Sequence, residues 1–226
     1  MGWNCKPSGG YAITSQEGTE NINAFYNYLS GITNVDNVVG ILCNVCEESG
    51  LNPWRWQGDT VSLSAGYGLF QFTPASGYIN LTGIPGHAPN MSTSTTSGGS
   101  TTDAEAQLYV LANDVLSKWV GTCWRSYWSQ SDYPTLYAKH TYILNTYGNG
   151  SILTMSQFFN ITNTEDACFA FLACYEGPLV PNLQQRLSHE QDIRDVLQPT
   201  PPPPPPTGSI NYGAGREVIR RLILHA

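Results

Sequence analysis

The stretch EESGLNPWRW, residues 47–56, decides how this chain is read. It sets Glu47 and Glu48 side by side, then Ser-Gly, Asn-Pro and a tryptophan pair. Just upstream, Val38, Val39, Leu42, Val45 and Cys46 fall on one helical face, with Asp36 in position to cap. A helix therefore ends at Glu48. Adjacent like charges repel, and a solvated helix end tolerates that. A cleft exploits it when one of the two acids is held protonated for chemistry.

Working outward, the pattern stays helical. Thr19 is expected to cap a helix carrying Ile22, Phe25 and Leu29. Asp103 starts a third helix through Leu108, Leu111, Val115 and Trp119. Thr164 starts a fourth, with Phe169, Leu172 and Tyr175 facing inward. Segment 54–73 is short, aromatic and rich in Gly and Ser, which fits a small β or extended element. Residues 86–102 are a turn-rich surface loop. The fold class expected is mainly α, a helical domain with a small β/extended element at a cleft. Residues 1–18 read as an N-terminal extension and 19–198 as the main domain. Pro199 and the six prolines at 201–206 make 199–208 a polyproline linker. Residues 209–226, with Val218, Ile219, Leu222 and Ile223 at helical spacing, read as the start of a truncated second domain.

Composition narrows the ligand. Charged residues are 12% of the 226, about half the usual ~25%. Polarity is carried instead by Ser, Thr, Asn, Gln and thirteen tyrosines, which suits an uncharged polar ligand such as a sugar. The net charge of −7, with no Lys/Arg run, excludes a phosphate-neutralising nucleic-acid binder. No apolar run approaches the ~20 residues that span a bilayer, and the first residues lack the basic-then-apolar pattern of a signal peptide. Cys43 and Cys46 form a C-x-x-C without a second pair. The six cysteines therefore read as buried thiols or one or two disulfides, and no metal or other cofactor is expected. His87, His140, His189 and His225 stand alone, without ligand spacing.

The chemistry concentrates in two places. Glu48 closes its helix. Downstream lies AGYGLFQFTPAS, 65–76, where Gly66 and Gly68 let backbone approach closely and Gln71 and Thr73 offer hydrogen bonds. An acid, a Gly-rich extended segment and a Gln are the parts of a polysaccharide cleft. Such an acid must be lifted from its model value of ~4.3 to stay protonated near neutral pH. Trp54 and Trp56 flank the segment, either as sugar platforms or as core.

ESGLNP followed by GYGLFQFTP resembles the goose-type lysozyme and lytic transglycosylase signature, and more closely the phage tail lysozyme domains. Those domains occur in tail-tip proteins that digest peptidoglycan, often joined by a linker to a metallopeptidase domain. The resemblance spans about residues 20–197 and extends to NYLS at 27–30, PASGYIN at 74–80, KW at 118–119 and FLACYEGP at 171–178. It implies a lysozyme-like α+β fold and Glu48 as catalytic acid, with Glu47 a solvated neighbour or cap partner. It further implies Ser62 beside the acid, Gly68, Gln71 and Thr73 on the glycan, and Tyr175 orienting the acid. The residue after Tyr175 is Glu176, where the transglycosylase pattern has Asn. The second carboxylate is Asp59 by position, then Glu176, then Asp103. A partner carboxylate sits ~6.5–9.5 Å away in inverting enzymes and ~5–5.5 Å in retaining ones, while a transglycosylase needs none. The implied activity is a muramidase cutting the β-1,4 MurNAc-GlcNAc bond. The alternatives are a lytic transglycosylase and a non-catalytic glycan-binding or tail-plug protein. The implied partners are bacterial peptidoglycan and other phage tail proteins, and the implied location is the virion, at the tail tip.

Overall fold

The computed structural model describes residues 2–96 and 98–198. The expected linker and second-domain segment lie outside the described residues. What is described is mainly helical, as the periodicity predicts.

Helix α1 spans Gln16–Leu29 and α2 spans Val35–Ser49. Each starts earlier than expected, because a better cap precedes it. Ser15 accepts from the Gly18 N–H and Asn34 from the Asn37 N–H. Asp36 falls inside the first turn of α2, where a negative charge suits the helix dipole, and pairs with Arg194 at 2.7 Å. Gly50 closes α2 with a left-handed φ of 56°.

Helix α2 is the spine of the molecule, with Val38, Val39, Ile41, Leu42, Cys43 and Val45 all fully buried. It packs most extensively against α7, Thr164–Phe171, which Asn163 caps. Gly40 explains how close that crossing is. A Cβ there would lie 2.7 Å from both the Ala167 Cβ and the Cys168 N. Interior Gly costs about 1 kcal/mol of helix propensity, and the close approach of the two helices is what it makes room for.

The remaining helices wrap this pair: α3 (Ala75–Ile79), α4 (Asp103–Ala112), α5 (Pro134–Thr146), α6 (Met155–Phe158), α8 (Leu183–Leu187) and α9 (Glu190–Leu197). Helix α4 stops well short of Trp119. Asp114 and Ser117 take left-handed φ values of 45° and 50°. The Asp114 carboxylate accepts from the Lys118 N–H at 2.9 Å, turning the chain so that Lys118 faces a groove. Helix α7 runs on into a single π turn, Leu172–Glu176, closed by Gly177. Such a turn inserts one residue into the helical register and re-aims the side chains after it.

The anticipated β element is reduced to isolated antiparallel bridges, Trp56 with Tyr67 and Tyr67 with Phe72, and no strand forms among the described residues. The segment is held by side chains instead. Gln57 Oε1 accepts the Gly66 N–H, and Trp56 Nε1 donates to the Asn90 carbonyl. Trp54 and Trp56 are buried, so both read as core. Phe70 sits in an aromatic cluster with Phe25, Phe72, Phe171 and Tyr175. One disulfide, Cys123–Cys174, ties the loop after α4 to the π turn; Cys5, Cys43, Cys46 and Cys168 are free thiols.

Candidate active site

A groove of about 700 Å³ opens where three elements converge. The last turn of α2 contributes Glu48, and the 66–73 turn contributes Gln71 and Thr73. The π turn after α7 contributes Tyr175 and Glu176. The loop between α4 and α5 adds Lys118 and Arg125.

Glu48 is ion-paired. Arg186, buried on α8, donates through Nη2 to Glu48 Oε1 at 2.7 Å and reaches the Asn44 carbonyl through Nη1. Glu47 is not simply solvated. It accepts from Gln185 Nε2 and from His189 Nε2, each at 2.6 Å. Helix α8 and the residue just beyond α8's cap thus grip both acids at the end of α2.

Glu176 is the opposite case. Its Oε1 is shut off from solvent and takes no hydrogen bond among the described residues. Burial, and then the charge of Glu48, push its carboxyl up to about 8 from the ordinary 4.5. Lys118, Arg186 and Arg125 pull the other way. The Tyr175 hydroxyl beside it is also buried and unpartnered, and burial pushes that phenol up too. The Tyr175 ring stacks on Phe171 at 4.9 Å, with Lys118 Nζ over it, also at 4.9 Å. Arg125 donates to the carbonyls of Ala173 and Tyr175 and, with Tyr127 and Trp128 on the carbonyls of Gly177 and Pro178, fixes the exit of the π turn.

Not every expected residue reaches the groove. Asp59 pairs with Arg55 at 3.1 Å and accepts from the Gly9 N–H, away from the groove lining. It takes a left-handed φ of 51° in the short turn Gln57–Asp59, and its carboxylate sits between Arg55 and the N-terminal segment. Ser62 shares a hydrogen bond with Ser64 at 3.0 Å and does not line the groove either. Gly68 is buried beneath the groove and shapes the backbone. With φ 82°, its missing Cβ leaves room for the Gln107 carboxamide, which accepts the Leu69 N–H at 2.6 Å. Gln71 uses its amide on the carbonyls of Arg55 and Gly68, pinning the turn from inside.

Asp103, the third carboxylate candidate, is a core hub. It accepts from the hydroxyls of Tyr67 and Tyr78, from Gln107 Nε2 and from the Ala88 N–H. A second groove, about 710 Å³ between α5 and α8, holds none of the expected residues, and its Lys139 is paired with Glu165 at 2.9 Å and with Asp166.

Sequence reasoning gave no role to Arg186, Lys118 or Arg125. Arg186 lies 138 positions from Glu48 and carries no local signal. Among the described residues, no cluster of three or more His, Cys, Asp or Glu could hold a metal ion, and no helix is long and apolar enough to cross a membrane.

Two carboxyl groups thus line one polar groove on a helical scaffold, with Gln71 and Thr73 of the 66–73 turn beside them. The phage tail lysozyme family matches residues 20–197 of the 226, and the chain belongs to that family. It is a phage-associated, lysozyme-like protein that degrades peptidoglycan.

Proposed function

We propose that the protein is a muramidase. It hydrolyses the β-1,4 bond between N-acetylmuramic acid and N-acetylglucosamine, and it rides at the phage tail tip among other tail proteins to open the wall during infection. The observation that carries this reading is the carboxyl pair in the groove, Glu48 ion-paired and Glu176 shielded and unpartnered. Two carboxyl groups held in unlike surroundings at one groove are the arrangement that acid-assisted glycosidic cleavage uses. Glu176 takes the second-carboxylate role expected of Asp59. Gln71, Thr73 and Tyr175 line the same groove and offer polar edges to the sugars.

The test is clearance of purified cell walls. Glu48→Gln and Glu176→Gln should each slow it by about 10²–10⁴, the usual contribution of positioned acid–base groups, with the fold intact by circular dichroism. Unimpaired clearance by both variants would remove the enzymatic reading of this groove. Mass spectrometry of the products should show reducing muramyl ends; 1,6-anhydro ends would make the protein a lytic transglycosylase. Detection of the chain at the tip of purified virions by gold-labelled antibody checks the location.

A further inference from the structure

Accepting the muramidase reading, we propose that Lys118 selects the substrate: its ammonium takes a carboxylate carried by the muramyl half of the glycan. The N-acetylglucosamine unit is uncharged. The N-acetylmuramic acid unit bears an acid side arm, which is free in bare glycan. In intact wall that arm is amide-linked to a stem peptide with carboxylates of its own. A cation in the groove therefore separates muramyl glycan from an uncharged N-acetylglucosamine polymer.

The cations of this chain are few, and among the described residues the others have partners. Arg55 pairs with Asp59, Arg186 with Glu48 and Arg194 with Asp36. Lys139 pairs with Glu165, Lys6 donates to the Gly10 carbonyl, and Arg125 donates to the carbonyls of Ala173 and Tyr175. Lys118 differs. Its ammonium has ring faces against it, Tyr175 at 4.9 Å and Phe72 at 5.5 Å, and no carbonyl or carboxylate among the described residues. A ring face attracts the charge, but the three N–H donors of an ammonium are left for another acceptor. Water serves that purpose for a lysine on an open surface. Lys118 is half-buried, and it lines the same groove as Glu48 and Glu176. Arg125 lines that groove too, its charge matched by no ion pair among the described residues, and adds to the positive field.

The lysine is held in place at its backbone. The Asp114 carboxylate accepts from the N–H groups of Lys118 and Trp119, at 2.9 and 3.3 Å. Trp119 Nε1 donates to the Leu153 carbonyl at 2.7 Å. Two residues beyond Lys118, the Val120 N–H donates to the Cys174 carbonyl at 2.7 Å, and the Cys123–Cys174 disulfide ties the same loop to the π turn. Lys118 is thus fixed relative to Tyr175 and Glu176, and a carboxylate that meets it sets where the glycan lies along the groove. Such a recognition residue gives specificity through a charge the competing polymer cannot supply.

The test uses soluble wall fragments in four forms: peptide-bearing, amidase-stripped, and each of these after carbodiimide coupling to ammonia has turned its carboxylates into amides. For the wild type, capping should raise KM about tenfold, the low end for a hydrogen bond to a charged group because the groove is open to solvent. For Lys118→Met, which keeps an apolar stem on the rings, capping should change KM less than twofold; Lys118→Arg should keep most of the wild-type response. A response in the stripped fragments assigns the carboxylate to the muramyl side arm. A response confined to the peptide-bearing fragments assigns it to the stem peptide. Wild-type indifference to capping in both series overturns the proposal, and so does a Lys118→Met protein that still responds tenfold. An equal loss of kcat on all four fragments at unmoved KM would mean that Lys118 acts on Glu176 and not on substrate, which also overturns it. If the wild type cuts none of the four, the muramidase reading fails, and calorimetric binding of the same fragments to the same three proteins decides the role of Lys118 separately.

Discussion

The Asp103 hub and the Glu176 cleft each enclose a carboxyl group, and in both burial is the main force raising its pKa. They differ in what surrounds the oxygens. Asp103 is met by two tyrosine hydroxyls, a carboxamide and a backbone N–H, so its lone pairs are occupied and it organises the core beneath the 66–73 turn. Glu176 has an oxygen with no partner, beside a tyrosine hydroxyl with none, at a groove that opens to solvent. Desolvation alone does not mark a reactive group; desolvation without satisfaction does.

Substitution should break this comparison in opposite ways. The largest effect expected is the loss of about 10²–10⁴ in cell-wall clearance for Glu176→Gln, with the protein still folded. Next comes Asp103→Ala, which leaves several buried donors unpaired. It should cost on the order of 3 kcal/mol in urea unfolding, with whatever activity survives in the folded fraction retained. If Asp103→Ala proved harmless to stability while Glu176→Gln unfolded the chain, the distinction drawn between the two groups would be reversed.

A gentler perturbation sharpens the same contrast. The folded state holds Glu176 neutral well above its ordinary 4.5. A raised acid contributes stability that is fully present below the unfolded value and is lost as pH climbs through the folded one. Wild type should therefore lose stability relative to Glu176→Gln between about pH 4.5 and about pH 8. Thermal unfolding of the pair at several pH values reads this, since titrating groups remote from Glu176 cancel in the difference. A constant gap between the two proteins would mean that Glu176 is not desolvated.

Much of the scaffold could be read from the chain because it is local. The spacing of Val38, Leu42 and Val45, and of Phe169 and Leu172, is a helical face whatever it packs on. Glu48 and Gln71 stand in short motifs. The misplacements have local causes too. A serine and an asparagine just upstream outcompeted Thr19 and Asp36 as caps, and left-handed turns at Asp114 and Ser117 cut α4 short. The rest of the groove is non-local. Arg186 meets Glu48 across most of the chain, and Asp59 looked suitable only because sequence proximity stood in for direction. A π turn has no periodic signature of its own, so the aim of Glu176 was not legible either.

The smallest effect belongs to Glu47, one residue from Glu48 and gripped by the same region of chain. Its partners Gln185 and His189 bracket Arg186. Glu47→Gln keeps one acceptor oxygen, enough for the Gln185 amide, and replaces the oxygen facing His189 with an uncharged NH2. A partly exposed pair of this kind is worth about 0.2–1 kcal/mol. The melting temperature should fall slightly, and wall clearance should stay within a fewfold of wild type, because Arg186 keeps its own hold on Glu48 and on the Asn44 carbonyl. A large loss of activity at unchanged stability would show that the grip on Glu47 sets the position of Arg186. The two neighbouring acids would then act as one unit, and the contrast with the self-contained Asp103 hub would extend to the whole end of α2.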